Sequence, residues 1–152
     1  MSLKDKVQAD ITAAQKDQNA LRLSTLRMML AAIMNAEVAG KEKIELSDDQ
    51  IIDVLRSESK KRNESAEIYE QNGRGDAAAK ERAEAAIIAE YLPASIDDAA
   101  LSAIVAEEVA KATAAGAEGP KAMGVVVKAV RERVGQGADG SRIAAAVKSA
   151  LG

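Results

Sequence analysis

The sequence predicts an all-α protein: an N-terminal group of about four helices followed by a small three-helix group. Three observations carry this. Nearly half of the hydrophobic residues, themselves 47% of the 152-residue chain, are alanine, and alanine and glutamate are strong helix formers. Short alternating runs of Val, Ile, Thr and aromatics, which strands favour, are scarce, and two tyrosines are the whole aromatic content. Apolar residues recur at helical spacing between glycine and proline breaks.

The first helix is predicted behind Ser2, through Leu3, Val7, Ile11 and Ala14. The second carries Leu23, Leu26, Met29, Leu30, Ile33, Met34 and Val38, and Gly40 closes it. Ser47 and Gln50 have the spacing of a capping box, with Leu46 and Ile51 placed as its hydrophobic staple, so a third helix begins there and runs over about residues 48–72. It carries Ile51, Ile52 and Leu55 early, Ile68 and Tyr69 late, and the polar run RSESKKRNES between. Gly73 and Gly75 break the chain, and Asp76 is placed to cap a fourth helix whose apolar spacing is Ala83, Ile87 and Tyr91.

Leu92-Pro93 predicts a domain boundary, because the residue before proline is pushed out of the helical region. The expected domains are 1–93 and 94–152. In the second, Asp97 opens a helix through Leu101, Ile104, Val105, Val109 and Ala112, and Pro120 takes the first position of the next, where its missing N–H costs nothing. Met123, Val127, Val130 and Val134 are its expected apolar stripe. Gly135 and Gly137 make a turn, Asp139 caps the last helix, and Ile143, Val147 and Leu151 form its inner face.

Composition excludes much enzyme chemistry. There is no cysteine for disulfides, thiolate catalysis or thiolate metal sites, and no histidine, the commonest metal ligand and general base. GRGD has neither the lysine-threonine ending nor the preceding strand of a phosphate-binding loop, and Ser24, Thr25 and Ser57 have no base. Glu81, Glu84 and Glu90, at helical spacing without histidine, are expected on a solvated face. No catalytic, metal or cofactor residues are therefore assigned. The start MSLKDKVQAD lacks the apolar core of a secretory signal, and no 18-residue apolar stretch exists, so a cytoplasmic protein without membrane association is expected.

Charge is uneven. Residues 119–152 carry six basic and two acidic residues, net +4, whereas residues 95–118 carry one and five. Lys121, Lys128, Arg131, Arg133, Arg142 and Lys148 are enough to hold a few phosphates. Gly124 lies at the border of the basic and apolar arcs, and a glycine inside a helix costs about 0.8–1.0 kcal/mol relative to alanine. Either a neighbouring helix crosses it closely, or a phosphate backbone passes over it. Since no aromatic follows Tyr91, recognition of nucleic acid here would use shape and backbone, as suits structured RNA, rather than base stacking. The RSESKKR run and Arg74 form a weaker polyanion candidate, because interleaved acids suggest i,i+4 pairs on an exposed helix.

ALRLSTLRMMLAAIMNAEV, SDDQIIDVLRSESKKRNESAEIYEQNGRGD, KERAEAAIIAEYLP and MGVVVKAVRERVGQGADGSRIAAAVKSAL, in this order, resemble the GatB/YqeY family over nearly the whole chain. The resemblance implies a helical N-terminal domain and a small three-helix C-terminal domain similar to the tail of the B subunit of the tRNA-dependent amidotransferase. Met123, Gly124, Val126, Lys128, Gly137, Ala138 and Asp139 match the tail pattern, and Val127 departs from it where methionine is usual. The implied function is a noncatalytic tRNA-binding or amidotransferase-associated role. The implied partners are tRNA and an aminoacyl-tRNA amidotransferase or synthetase, with no DNA expected. The alternatives are a carbon-nitrogen ligase with glutamine as amido-N-donor, a label the family carries, and a protein-protein interaction module. Lys121, Gly124, Lys128, Arg131, Arg133, Arg142 and Lys148 are the candidate RNA-binding residues.

Overall fold

A computed structural model describes residues 1–152. It is all-α, with seven helices: α1 Leu3–Lys16, α2 Ala20–Glu37, α3 Asp48–Gln71, α4 Gly75–Ala89, α5 Asp98–Ala114, α6 Pro120–Val134 and α7 Gly140–Leu151. They fall into two compact units, Met1–Leu92 and Pro93–Gly152.

In the first unit, local chemistry sets the helix starts. Ser2 and Asp5 form a reciprocal capping box on α1, Asn19 caps α2 through the Arg22 N–H, and Ser47 with Gln50 caps α3 as the spacing predicts. Asp48 also accepts from the Leu3 backbone N–H at 2.9 Å, tying the start of α1 to that of α3. The core joins Val7 of α1, Leu26, Met29 and Ile33 of α2, Ile51 and Leu55 of α3, Ile88 at the end of α4 and Tyr91 just past it.

Several expectations fail in this unit. Asp76 lies inside the first turn of α4, and Arg74 occupies the cap position without a side-chain hydrogen bond. The buried line of α4 is Ala78, Glu84, Ala85 and Ile88, while Ala83 and Ile87 are half-buried. An alanine-rich helix has little contrast between its faces, so spacing alone does not select the inner one. Ile68, Met34 and Val38 are exposed, at 59%, 50% and 56%.

Glu84 is the largest departure. It is buried and faces the buried Arg62 of α3, so the end of the RSESKKR run is an interior contact rather than part of a polar surface. Arg62 also donates to Glu58 at 2.8 Å, the i,i+4 pair expected, and its other terminal nitrogen lies 3.8 Å from the sulfur of Met28.

The second unit is a three-helix bundle around Leu101, Val105, Val126, Val130, Ile143 and Val147. Asp97 and Asp139 cap α5 and α7, and Pro120 stands at the start of α6. Gly135, at φ +54°, ends α6 and begins a 3-10 turn through Gly137, whose carbonyl accepts from the Ile96 N–H at 2.8 Å. Leu151, expected inside, is 38% exposed at the end of α7.

Candidate nucleic-acid interface

The register of α6 decides which side chains it offers to solvent. Ala122, Val126 and Val130 are buried, with Met123, Val127 and Val134 half-buried beside them. Of the stripe expected from spacing, Val130 is at the core as predicted, while Met123, Val127 and Val134 form its flank and Ala122 and Val126, each one residue earlier, complete the inner face. MGVVVKAV offers three consecutive valines of equal hydrophobicity, and packing against α5 and α7 places Val126 inward and leaves Val125 53% exposed.

Opposite the core, Lys121, Gly124, Val125 and Lys128 follow the i, i+3, i+4, i+7 spacing of one helix face. All four are exposed, and neither lysine makes an ion pair or hydrogen bond. Glu132, also exposed, continues this face one turn on. A Cβ built on Gly124 would have no neighbour within 4 Å. Close crossing by another helix of this unit, one of the two explanations for this glycine, is thus absent.

The remaining basic candidates divide sharply. Arg131 donates to the carbonyls of Gly135 and Ala138, at 3.3 and 2.9 Å, and so fastens the glycine turn to the end of α6. Arg133 bridges to Glu107 and Glu108 of α5 at 2.6 and 3.1 Å. Those hydrogen bonds raise the Arg133 pKa; the bond from Arg133, helped by one from Lys111, holds the Glu108 carboxylate below its ordinary range despite burial. Arg142 reaches Asp98 at 2.7 Å and Ser95 at 3.2 Å. Lys148 is exposed on α7 without a charge partner.

The seven candidates therefore do not act as one patch. Lys121, Gly124 and Lys128 share an open face, Lys148 stands on another helix, and three arginines are engaged within the unit. What spacing missed is the carboxylates of α5, which are close to Arg133 and Arg142 only after folding, and the turn carbonyls that engage Arg131.

The weaker polyanion candidate disperses. Lys61 pairs with Glu58 at 3.3 Å and Arg62 is interior. Arg74 stacks over the Tyr69 ring at 5.3 Å, beside a cavity of about 320 Å³ that Lys80, Asp76 and Glu81 also line. Glu90 pairs with Arg22 at 2.7 Å, so the three glutamates considered together point to three different places.

The fold and these positions can be set beside known proteins. The model of the family described as Yqey-like protein matches residues 4–151. The chain belongs to the YqeY-like protein family. A curated relative, "Altered inheritance of mitochondria protein 41, mitochondrial" of Meyerozyma guilliermondii, is 34% identical over 83 residues. That match covers 55% of this chain and 42% of the relative, so the chain corresponds to less than half of the relative's length. No helix of this YqeY-like chain is long and apolar enough to cross a membrane.

Proposed function

We propose that this YqeY-like chain is a noncatalytic RNA-binding protein whose C-terminal unit holds structured RNA of the tRNA class through the outer face of α6. The observation that carries the reading is Gly124, an exposed mid-helix glycine with open space beyond it, set between two unpaired lysines. Within the C-terminal unit no neighbour offsets its helix cost of about 0.8–1.0 kcal/mol. A ligand backbone lying close against the helix would, and the lysines at either side supply charge for phosphates.

Val125 adds an apolar contact suited to a sugar edge, and the lack of aromatics on this unit fits recognition by shape and backbone. Arg131 and Arg133 serve the same site indirectly, by holding α6 against the turn and α5, and Arg142 ties α7 to the start of α5.

The test is titration of the full chain with tRNA over a range of salt. Affinity should fall steeply with salt, and Lys128→Glu should lower it and shallow the slope by about one unit, because each phosphate contact releases counterions. Binding no tighter than to a charge-matched control, or indifferent to Lys121→Glu with Lys128→Glu, overturns the reading.

A further inference from the structure

The outward face of α2 is unusual for so charged a chain. Leu21, Ser24, Met28, Ala32 and Asn35 recur at steps of three or four residues, the seam of a helix that packs on another helix, with Ala39 just past its end, and none carries charge although 30% of all residues do. Leu21 and Met28 are 37% and 46% exposed, and Val38 at the C-terminal end of the helix 56%. The charges that α2 does carry mostly turn elsewhere, Arg22 to Glu90 and Glu37 to Lys4. A helix that is apolar on its solvent side as well as its core side is expected to be covered.

Beside this seam, α2 and α3 enclose an open groove of about 580 Å³. Ala32, Asn35 and Ala39 line one wall, and Asp53, Ser57 and Lys61, spaced i, i+4, i+8 on α3, line the other. Val54 and Glu58, the intrahelical partner of Lys61, also line this wall, so Asp53 and Lys61 stand as opposite charges at its two ends with Ser57 midway between them. Asp53 and Lys61 are 60% and 68% exposed, with only intrahelical partners.

We propose that this face is an interface between two copies of the chain, the two α2–α3 hairpins packing about a two-fold axis as a four-helix bundle. A two-fold contact is self-complementary: if one residue meets a second, the second copy returns the same contact. Rotation about an axis through the middle of the groove brings Asp53 of each copy to Lys61 of the other. It also sets Ser57 against Ser57 and Asn35 against Asn35. Asparagine in an otherwise apolar helix seam is a known means of fixing register. The alanines of the α2 wall allow the helices to approach closely.

Sedimentation of the full chain over a wide concentration range should show a monomer–dimer equilibrium. Ala32→Glu, a charge placed in the seam, should weaken dimerisation on the order of tenfold or more, as should Asp53→Lys or Lys61→Asp alone. Asp53→Lys and Lys61→Asp together should restore it, because a symmetric contact then regains both pairs. Thermal unfolding of each variant separates loss of association from loss of fold, and Ala32→Glu and Asp53→Lys leave the Lys61–Glu58 bond intact should Lys61→Asp misfold. A monomer at every concentration, a dimer indifferent to Ala32→Glu, or failure of the double reversal to recover association in folded protein overturns the proposal.

Discussion

Arg62 of α3 and Glu84 of α4 meet at 3.3 Å with both side chains almost excluded from solvent, which makes them the buried charge pair of the N-terminal unit. Arg62 Nε makes no hydrogen bond there, so the contact is electrostatic and imperfectly satisfied. Removing Glu84 takes the facing charge from Arg62 Nε and leaves Glu58 as the remaining carboxylate partner. Glu84→Ala is therefore expected to destabilise the chain in denaturant unfolding by less than the roughly 3–5 kcal/mol of a fully unpaired buried charge, and Arg62→Met with Glu84→Leu should recover most of that loss.

The open space at Gly124 separates stability from binding. Gly124→Ala should stabilise the chain by about 0.8–1.0 kcal/mol, since the new methyl group meets nothing and helix propensity improves. The same variant should bind tRNA more weakly if a backbone lies against that position. Thermal melts and a binding titration on one protein sample read both effects.

Valine register in α6 is testable by two adjacent truncations. Val126→Ala should cost roughly 1.5–3 kcal/mol, the scale of fully burying such a side chain, because Val126 is wholly buried. Val125→Ala should leave the unfolding midpoint close to that of the parent. Equal effects would mean the wrong valine has been placed inside.

The basic residues of the second unit should sort by the same measurement. Arg133→Ala, which breaks contacts to Glu107 and Glu108, should lower the melting temperature. Lys121→Ala and Lys128→Ala, which break none, should not, yet should lower the salt dependence of RNA binding.

Tyr91 gives the first unit an alkaline limit. Its hydroxyl is buried and donates to Asp10, and burial first, then that hydrogen bond, push its pKa upward. A folded-state pKa above the unfolded value of about 10 means that the stabilisation is complete below that pH and is lost as pH rises through the folded value. Tyr91→Phe should therefore show a smaller loss of melting temperature above pH 10 than the parent. The carboxylate of Glu37 behaves oppositely: the hydrogen bond from Lys4 lowers its pKa, so its contribution is present above the ordinary carboxylate range and lost as pH falls through the folded value.

Much of the fold was legible because helix ends are local chemistry. The Ser47–Gln50 box, the Asp97 and Asp139 caps and Pro120 at a helix start are each decided within four residues, and each is found in place. Asp76 was misplaced because Arg74 and Gly75 already begin α4, a start with no side-chain cap to mark it. The inner face of α4 and the position of Glu84 were illegible for a different reason. Alanine tolerates either side of a helix, and a glutamate is interior only because Arg62, far off in the chain, waits opposite.

The sequence by itself determined the helical class, the helix order, most of the caps and the family resemblance, since propensity, periodicity and spacing act over a few residues. Only the tertiary structure decided which valine of α6 faces inward and which cations remain available. Arg133 finds Glu107 across 26 residues and Arg142 finds Asp98 across 44, and no local pattern encodes such partners. Lys121 and Lys128 make no ion pair, and α6 leaves them with Gly124 on the open face.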